Sequence, residues 1–212
     1  MAAQGPPIYW VAAHRKHHKN SDLPDDPHSP YHLQGNFAIY RGFLYAHFGW
    51  MIHDQNISYF RYAPDIARDK HLARVSGFYW YWVALGLLLP GCLSAAYSQS
   101  WMGFVTGVAF CGLARICLSH HVTWSVNSLT HLIGTREYPT LDHSTNLAFL
   151  AIPTLGESWH NNHHAFPTSA RHGMKWWQLD LTYSAIRFLS FLGLAWDIKY
   201  PATNELSDTH IG

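Results

Sequence analysis

Phe78-Tyr-Trp-Tyr-Trp-Val-Ala-Leu-Gly-Leu-Leu-Leu-Pro-Gly-Cys-Leu-Ser-Ala-Ala-Tyr97 is a run of 20 residues without one charge. An α-helix rises about 1.5 Å per residue, so a run of this length matches the roughly 30 Å hydrocarbon core of a bilayer. Aromatic residues crowd its first end, where Trp and Tyr favour the boundary between headgroups and lipid tails. Ser98-Gln99-Ser100 makes a short link. Beyond it, Trp101 to Leu118 forms a second apolar stretch in which Arg115 is the single charge. Two spans joined by a short link return the chain to its starting side, which predicts a transmembrane helical hairpin over 78–97 and 101–118. The competing reading, core helices of a soluble bundle, fits runs of this length less well.

Composition agrees. Aromatic residues make up 16% of the 212 and charged residues only 13%, against about 25% charged in soluble domains. A net charge of +1 carries no broad electrostatic case for nucleic acid. Cys92, Cys111 and Cys117 lie in apolar surroundings and are odd in number, so no disulfide framework is implied. The N-terminal Met-Ala-Ala-Gln-Gly-Pro-Pro lacks the charged start and apolar run of a signal peptide, so membrane insertion must come from within the chain.

Outward from the hairpin the flanks are polar and basic. Arg61, Arg68, Lys70 and Arg74 surround Pro64 in a polar connection over 54–74, and Arg136 follows the second span. Cytoplasmic flanks carry the excess of Lys and Arg, so both ends of the hairpin are expected in the cytoplasm. Residues 36–53 alternate aromatics with Arg41, His47 and His53, a run too polar to span and aromatic enough to lie in a membrane interface. Trp176 to Asp197 has apolar residues near helical spacing and predicts an amphipathic helix packed on the cytoplasmic side. From Thr203 onward the chain is polar and expected to be mobile.

On that same side lie two copies of one pattern, His14-Arg-Lys-His17-His18 and His160-Asn-Asn-His163-His164. On a helix the first histidine of each stands one turn from the other two, so three imidazoles share one side. With 17 His in the chain, His-x-x-His-His is expected roughly 0.1 times by chance, so two copies call for a chemical reason. The first cluster ends a helix entered through Gly5-Pro6-Pro7. Asn127 and His131, four apart, continue helically from the second span, and His131 becomes a seventh ligand. Six or seven imidazoles exceed a structural zinc site, so two metals is the simpler account, with Fe, Zn and Cu all compatible. Sparse Asp and Glu argue against a carboxylate-bridged bundle site. His28 in the Asp- and Pro-rich loop 22–31, and His32 just after it, are expected to be solvated. His47 reads as packed or interfacial, His120 and His121 as interfacial, and His143 and His172 as structural or surface residues.

These motifs, with Arg41-Gly-Phe-Leu-Tyr-Ala-His-Phe-Gly-Trp50 and His160-Asn-Asn-His-His-Ala-Phe-Pro167, resemble the membrane fatty acid desaturases of the stearoyl-CoA (delta-9) type, and Trp177-Gln-Leu-Asp-Leu-Thr-Tyr183 resembles the bacterial members. The resemblance implies an all-α membrane protein, a partial membrane desaturase fold with a transmembrane hairpin and a cytoplasmic histidine-rich helical cap, in the bacterial cytoplasmic membrane. It implies two non-heme irons on His14, His17, His18, His131, His160, His163 and His164, with Asn127 reaching one metal through water. Oxygen would remove two hydrogens from a saturated fatty acyl thioester or acyl lipid held in a bent tunnel, with electrons from a ferredoxin-like or cytochrome b5-like donor. Trp10 and Trp124, each one turn from a motif, are expected tunnel walls, plain packing being the alternative for Trp124. The family also has a first His-x-x-x-x-His box after a leading pair of membrane helices, and Met1 stands almost against the second box, so the chain reads as the C-terminal part of such a protein or as one begun too late. A membrane hydroxylase and a truncated, non-catalytic metal-binding or interaction protein are the alternative readings.

Overall fold

The computed structural model describes residues 2–53 and 57–201, and among them there is no β-strand. The chain divides into two compact units, Met1–Lys19 with Met51–His121, and Asn20–Trp50 with Val122–Gly212.

In the first unit, helix α1 (Pro7–Asn20) starts on Pro7. Gly5 precedes it at a φ of +95°, which favours glycine, and donates its N–H to the Tyr79 hydroxyl at 3.0 Å. Ala12 and Ala13 pack with Ile57 and Ala63, with Tyr9, Val11, Tyr62 and Ile66 around them. Arg15 clamps the Asp65 carboxylate through two nitrogens at 2.5 and 2.8 Å. The segment read as a polar connection is in fact stepwise helical: α3 (Tyr59–Tyr62), α4 (Pro64–Arg68) and α5 (Lys70–Gly77) follow α2 (Ala38–His47) of the other unit. Its breaks have local causes. Pro64 opens α4, and the Asp69 side chain caps α5 by accepting from the N–H groups of His71 and Leu72.

The apolar run forms α6 (Tyr79–Ser98). The next helix begins as α7 (Trp101–Thr106), loosens into a π-helical stretch over Gly107–Ala114, continues as α8 (Arg115–Ser128) and ends in a 3₁₀ turn, Leu129–His131. Both are long and apolar enough to cross a membrane. The second continues past the apolar stretch ending at 118 and carries Asn127 and His131, as expected of the helical continuation to His131. Small residues let the two approach. A Cβ on Gly107 would lie 2.5 Å from the Pro90 carbonyl oxygen, and one on Gly91 2.6 Å from Val108. Pro90 has no N–H to give the Gly86 carbonyl. Arg115, the lone charge of its stretch, donates there from Nη2 at 3.4 Å and to Cys111 of its own helix from Nε at 2.9 Å.

The second unit has a polar interior, with Ser128, Thr130, His131, Ser144, Asn146, Asn161, Asn162 and Gln178 all buried. Its α2 rests on the Asp22–Pro30 loop: a Cβ on Gly42 would meet the Pro30 carbonyl oxygen at 1.8 Å, and the Tyr45 hydroxyl donates to the Pro27 carbonyl at 3.1 Å. Residues 132–159 are irregular apart from a 3₁₀ turn at Ala148–Leu150 and single bridges from Asn146 to Thr135 and Trp159. Two helices follow, α9 (His160–Ala165) and α10 (Leu181–Phe191). The amphipathic helix expected over 176–197 is therefore shorter, and it is not packed by its apolar side, since none of its residues is buried. The Asp180 side chain sets its start by accepting from the Tyr183 N–H. Gly193 sets its end at a φ of +71°, with the Leu194 N–H returning to the Leu189 carbonyl at 2.9 Å. The polar end expected from Thr203 lies outside the described residues.

Candidate metal centre

The second histidine pattern lies on α9, which has only six residues and cannot hold its own shape in isolation. The residues between the histidines hold it. Asn161 Oδ1 accepts from the N–H groups of Glu137 and Tyr138, each at 2.8 Å. Asn162 donates from Nδ2 to the His172 carbonyl at 2.8 Å and to Gln178 Oε1 at 3.0 Å, and its Oδ1 accepts from Asn146 Nδ2 at 2.7 Å. Gln178 in turn donates to Glu137 Oε1 at 2.9 Å. Each of these buried amides is satisfied, so the helix is fixed in position and rotation.

That rotation turns His160 and His164 toward His131 at the end of the long helix. Nε2 of His160 lies 3.1 Å from Nε2 of His131 and 3.0 Å from Nε2 of His164. The far nitrogens of the outer two rings are anchored: His131 Nδ1 donates to Asp22 Oδ2 at 2.9 Å, and His164 Nδ1 to Asp142 Oδ2 at 2.5 Å. Asp22 also accepts from Ser29 Oγ and from the His143 N–H, and Asp142 Oδ1 accepts from Thr140 Oγ1, Ser144 Oγ and the Ser144 N–H. Burial pushes both carboxyls up, but these donors, with His131 beside Asp22 and His164 beside Asp142, outweigh it and hold both below the usual carboxylate range. Burial lowers His164 more than Asp142 raises it, which favours the neutral ring.

An ionised carboxylate can only accept, so Nδ1 carries a proton on both outer rings. Nε2 of the neutral His164 ring is a bare lone pair, whereas the Asp22 carboxylate outweighs burial and raises His131 toward its charged form. One proton on His160 Nε2 serves one neighbour at most, so neutral rings cannot make both close contacts hydrogen bonds, and a cation among the three nitrogens satisfies all of their lone pairs. These residues fit a divalent metal with nitrogen ligands and carboxylates behind them.

The other predicted residues are placed as follows. His14 and His18 meet on α1 with Nε2 atoms 3.1 Å apart, His17 beside them is buried, and Trp10 stacks on His14 at 4.9 Å. His163 is buried with its ring centroid 5.8 Å from those of His160 and of His164, and it packs on His172 at 4.4 Å. Asn127 lies one turn before His131, and Trp124 meets the edge of His47 at 5.8 Å. His47 is a packed residue, its Nδ1 2.9 Å from Ser128 Oγ. His143 is exposed against Tyr31. His28, expected in solvent, is instead buried against Trp50, because Asp26 folds the loop inward by accepting from the N–H groups of Asp22 and His28. Asp22 and Asp142 escaped the sequence reading altogether. The signal that finds them is chemical: a ligating imidazole needs an acceptor for its second nitrogen, and few acids are available.

The sequence model of the family described as fatty acid desaturase matches residues 1–190. Among curated relatives, the hex-5-enoyl-[acyl-carrier protein] acetylenase of Moorena producens is 45% identical over 97% of this chain and 65% of its own length. The sn-1 stearoyl-lipid 9-desaturase of Anabaena variabilis is 41% identical over 94% of this chain and 67% of its own. The protein of that name from Synechocystis sp. is 38% identical over 98% and 60%. The chain thus spans 60–67% of the lengths of these relatives.

Proposed function

The chain belongs to the fatty acid desaturase family, and from that premise we propose that it forms the larger part of an acyl desaturase that introduces a double bond, at the delta-9 position, into a saturated fatty acyl chain. The reaction balances as two hydrogens from adjacent methylenes, two electrons from a ferredoxin-like or cytochrome b5-like donor and two protons, all delivered to O2 to give two waters. A pair of iron ions supplies the oxygen activation. His14, His17, His18, His131, His160, His163 and His164 are the ligands in this reading, with Asn127 acting through water.

The observation that carries the proposal is the triad of His131, His160 and His164, backed by carboxylates on its outer rings. In this role Asp22 and Asp142 keep the protons on Nδ1 and so aim two lone pairs at one point. The Asn161 and Asn162 network keeps α9 from turning as the metal is gained or lost. Trp10 and Trp124 are the proposed walls that exclude water from the acyl chain. The two apolar helices form the proposed transmembrane hairpin, with the histidines on the cytoplasmic side of a bacterial cytoplasmic membrane.

The test joins metal to product. The chain is purified from membranes for iron analysis, and the lipids of the expressing cells are converted to methyl esters and searched for new double bonds. Histidine-dependent iron, lost in His160→Ala, and a new delta-9 double bond are the expected results. Iron retained by His160→Ala, or hydroxylated acyl chains in place of unsaturated ones, overturns the reading.

A further inference from the structure

Helix α10 has the amphipathicity of a surface helix turned inside out. Thr182, Tyr183, Ile186 and Ser190 are the half-buried residues, and they fall within about 100° of arc. This face meets its own unit: Tyr183 lies under the Arg171 guanidinium at 5.8 Å and against Tyr200 at 6.0 Å. The opposite arc holds Leu181, Phe188, Phe191 and Leu192, all exposed, with Phe191 at 86%, and one exposed hydroxyl, Ser184, whose Oγ donates to the Asp180 carbonyl at the start of its own helix. An aqueous helix buries such a stripe and exposes its hydroxyls. Indole rings stand at both ends of the segment, Trp176 at 95% and Trp196 at 77% exposure.

We propose that α10 is a membrane-interface anchor, lying in the plane of the bilayer with Leu181, Phe188, Phe191 and Leu192 among the upper acyl chains. Eleven residues are too few to span, so the helix lies flat. The indoles at each end fit the headgroup boundary, and Arg187 borders the apolar arc, while Asp197 and Lys199 together follow the helix and the nearest preceding acid, Asp180, is occupied as the cap. A bilayer is also the partner that the two membrane-length helices keep within reach of the chain. In that respect the inference rests on the membrane placement proposed above.

The experiment uses the full chain with Cys92, Cys111 and Cys117 changed to alanine, reconstituted in phosphatidylcholine vesicles with a minor share of phosphatidylglycerol. Single cysteines at Leu93, Phe188, Phe191 and Lys199 carry nitroxide labels, and each label's collisions with oxygen and with a water-soluble nickel chelate are compared. None of these four side chains is buried, so labelling removes no core contact. At Phe188 and Phe191 the ratio of oxygen to nickel accessibility is expected to be several-fold above that at Lys199. Nickel-dominated collisions at both positions mean water, and low access to both probes means a protein partner such as a second copy; either result overturns the inference. Leu93, in the last third of α6, reports separately: an oxygen-rich Leu93 with a nickel-rich Phe188 sinks only the anchor, whereas a nickel-rich Leu93 sinks the membrane placement itself.

Discussion

Replacing Asp142 by asparagine changes one atom and reverses the proton logic of the site. Asp142 Oδ1 accepts from Thr140 and Ser144, at 2.6 to 3.0 Å. An asparagine oxygen can keep those contacts, which leaves its Nδ2 facing His164 Nδ1, where the carboxylate now sits at 2.5 Å. Two N–H donors cannot face each other. His164 relieves the conflict by moving its proton to Nε2, which removes the lone pair from the triad, or by swinging the ring away. Losing the partner behind a metal-bound histidine costs roughly 10–100-fold in metal affinity, about 1.4–2.7 kcal/mol. The assay is a chelator titration of the iron-loaded protein in detergent, with residual iron read against chelator concentration. D142N is expected to release iron at a chelator concentration lower by that factor, while its circular dichroism stays that of the parent. If D142N holds iron as the parent does while His164→Ala loses it, Asp142 does not set the tautomer and the reasoning fails.

Three further outcomes follow from the fold. Asn162→Ala removes three buried side-chain hydrogen bonds and leaves Asn146 Nδ2 and the His172 carbonyl without that partner, while Gln178 Oε1 keeps the Met174 and Lys175 N–H groups, a loss of about 2–4 kcal/mol that a thermal melt in detergent should register; an unchanged melt would show that α9 does not depend on them. Gly107→Ala drives a Cβ to 2.5 Å from the backbone oxygen of Pro90 and should cost about 1–3 kcal/mol, whereas Gly77→Ala, with nothing within 4 Å, should be neutral or stabilising; equal effects would dissolve the close helix approach. Asp65 is held at about 2 by the Arg15 guanidinium. A depressed acid stabilises the fold above its unfolded value near 3.8 and loses that contribution as pH falls toward 2. Because the pair is half exposed, the contribution stays within about 1 kcal/mol, so the acid melts of the parent and Arg15→Ala should converge between pH 4 and 2, and parallel curves would dismiss the pair.

What could be read from the sequence followed from local period. A charge-free run long enough to span a bilayer and histidines spaced one helical turn apart both declare themselves within a few residues, and α6 and α9 lie where those patterns put them. The contacts that give the site its chemistry are not local. Asp22 lies 109 positions from His131, and Asp142 lies 22 from His164, so no window of sequence joins them. Loop 22–31 reads as solvated because Asp and Pro are polar and turn-forming, yet Asp26 uses that polarity to fasten the turn inward and take His28 with it. In α10 the apolar arc was visible, but periodicity cannot say which arc meets the protein.

Arg115 has a consequence for biogenesis. A charge at the centre of a span costs about 2.5–3.5 kcal/mol when the segment enters lipid alone, and Arg115, near the end of the proposed span 101–118, carries a part of that cost. Here one of its partners is the carbonyl that Pro90 leaves unbonded on the preceding helix. The first helix can pass from the insertion machinery into lipid unaided, whereas the second gains by waiting for it. In the proposed membrane hairpin the two helices are therefore expected to be released together, with the carbonyl that a proline leaves unbonded in one helix receiving the charge of the other.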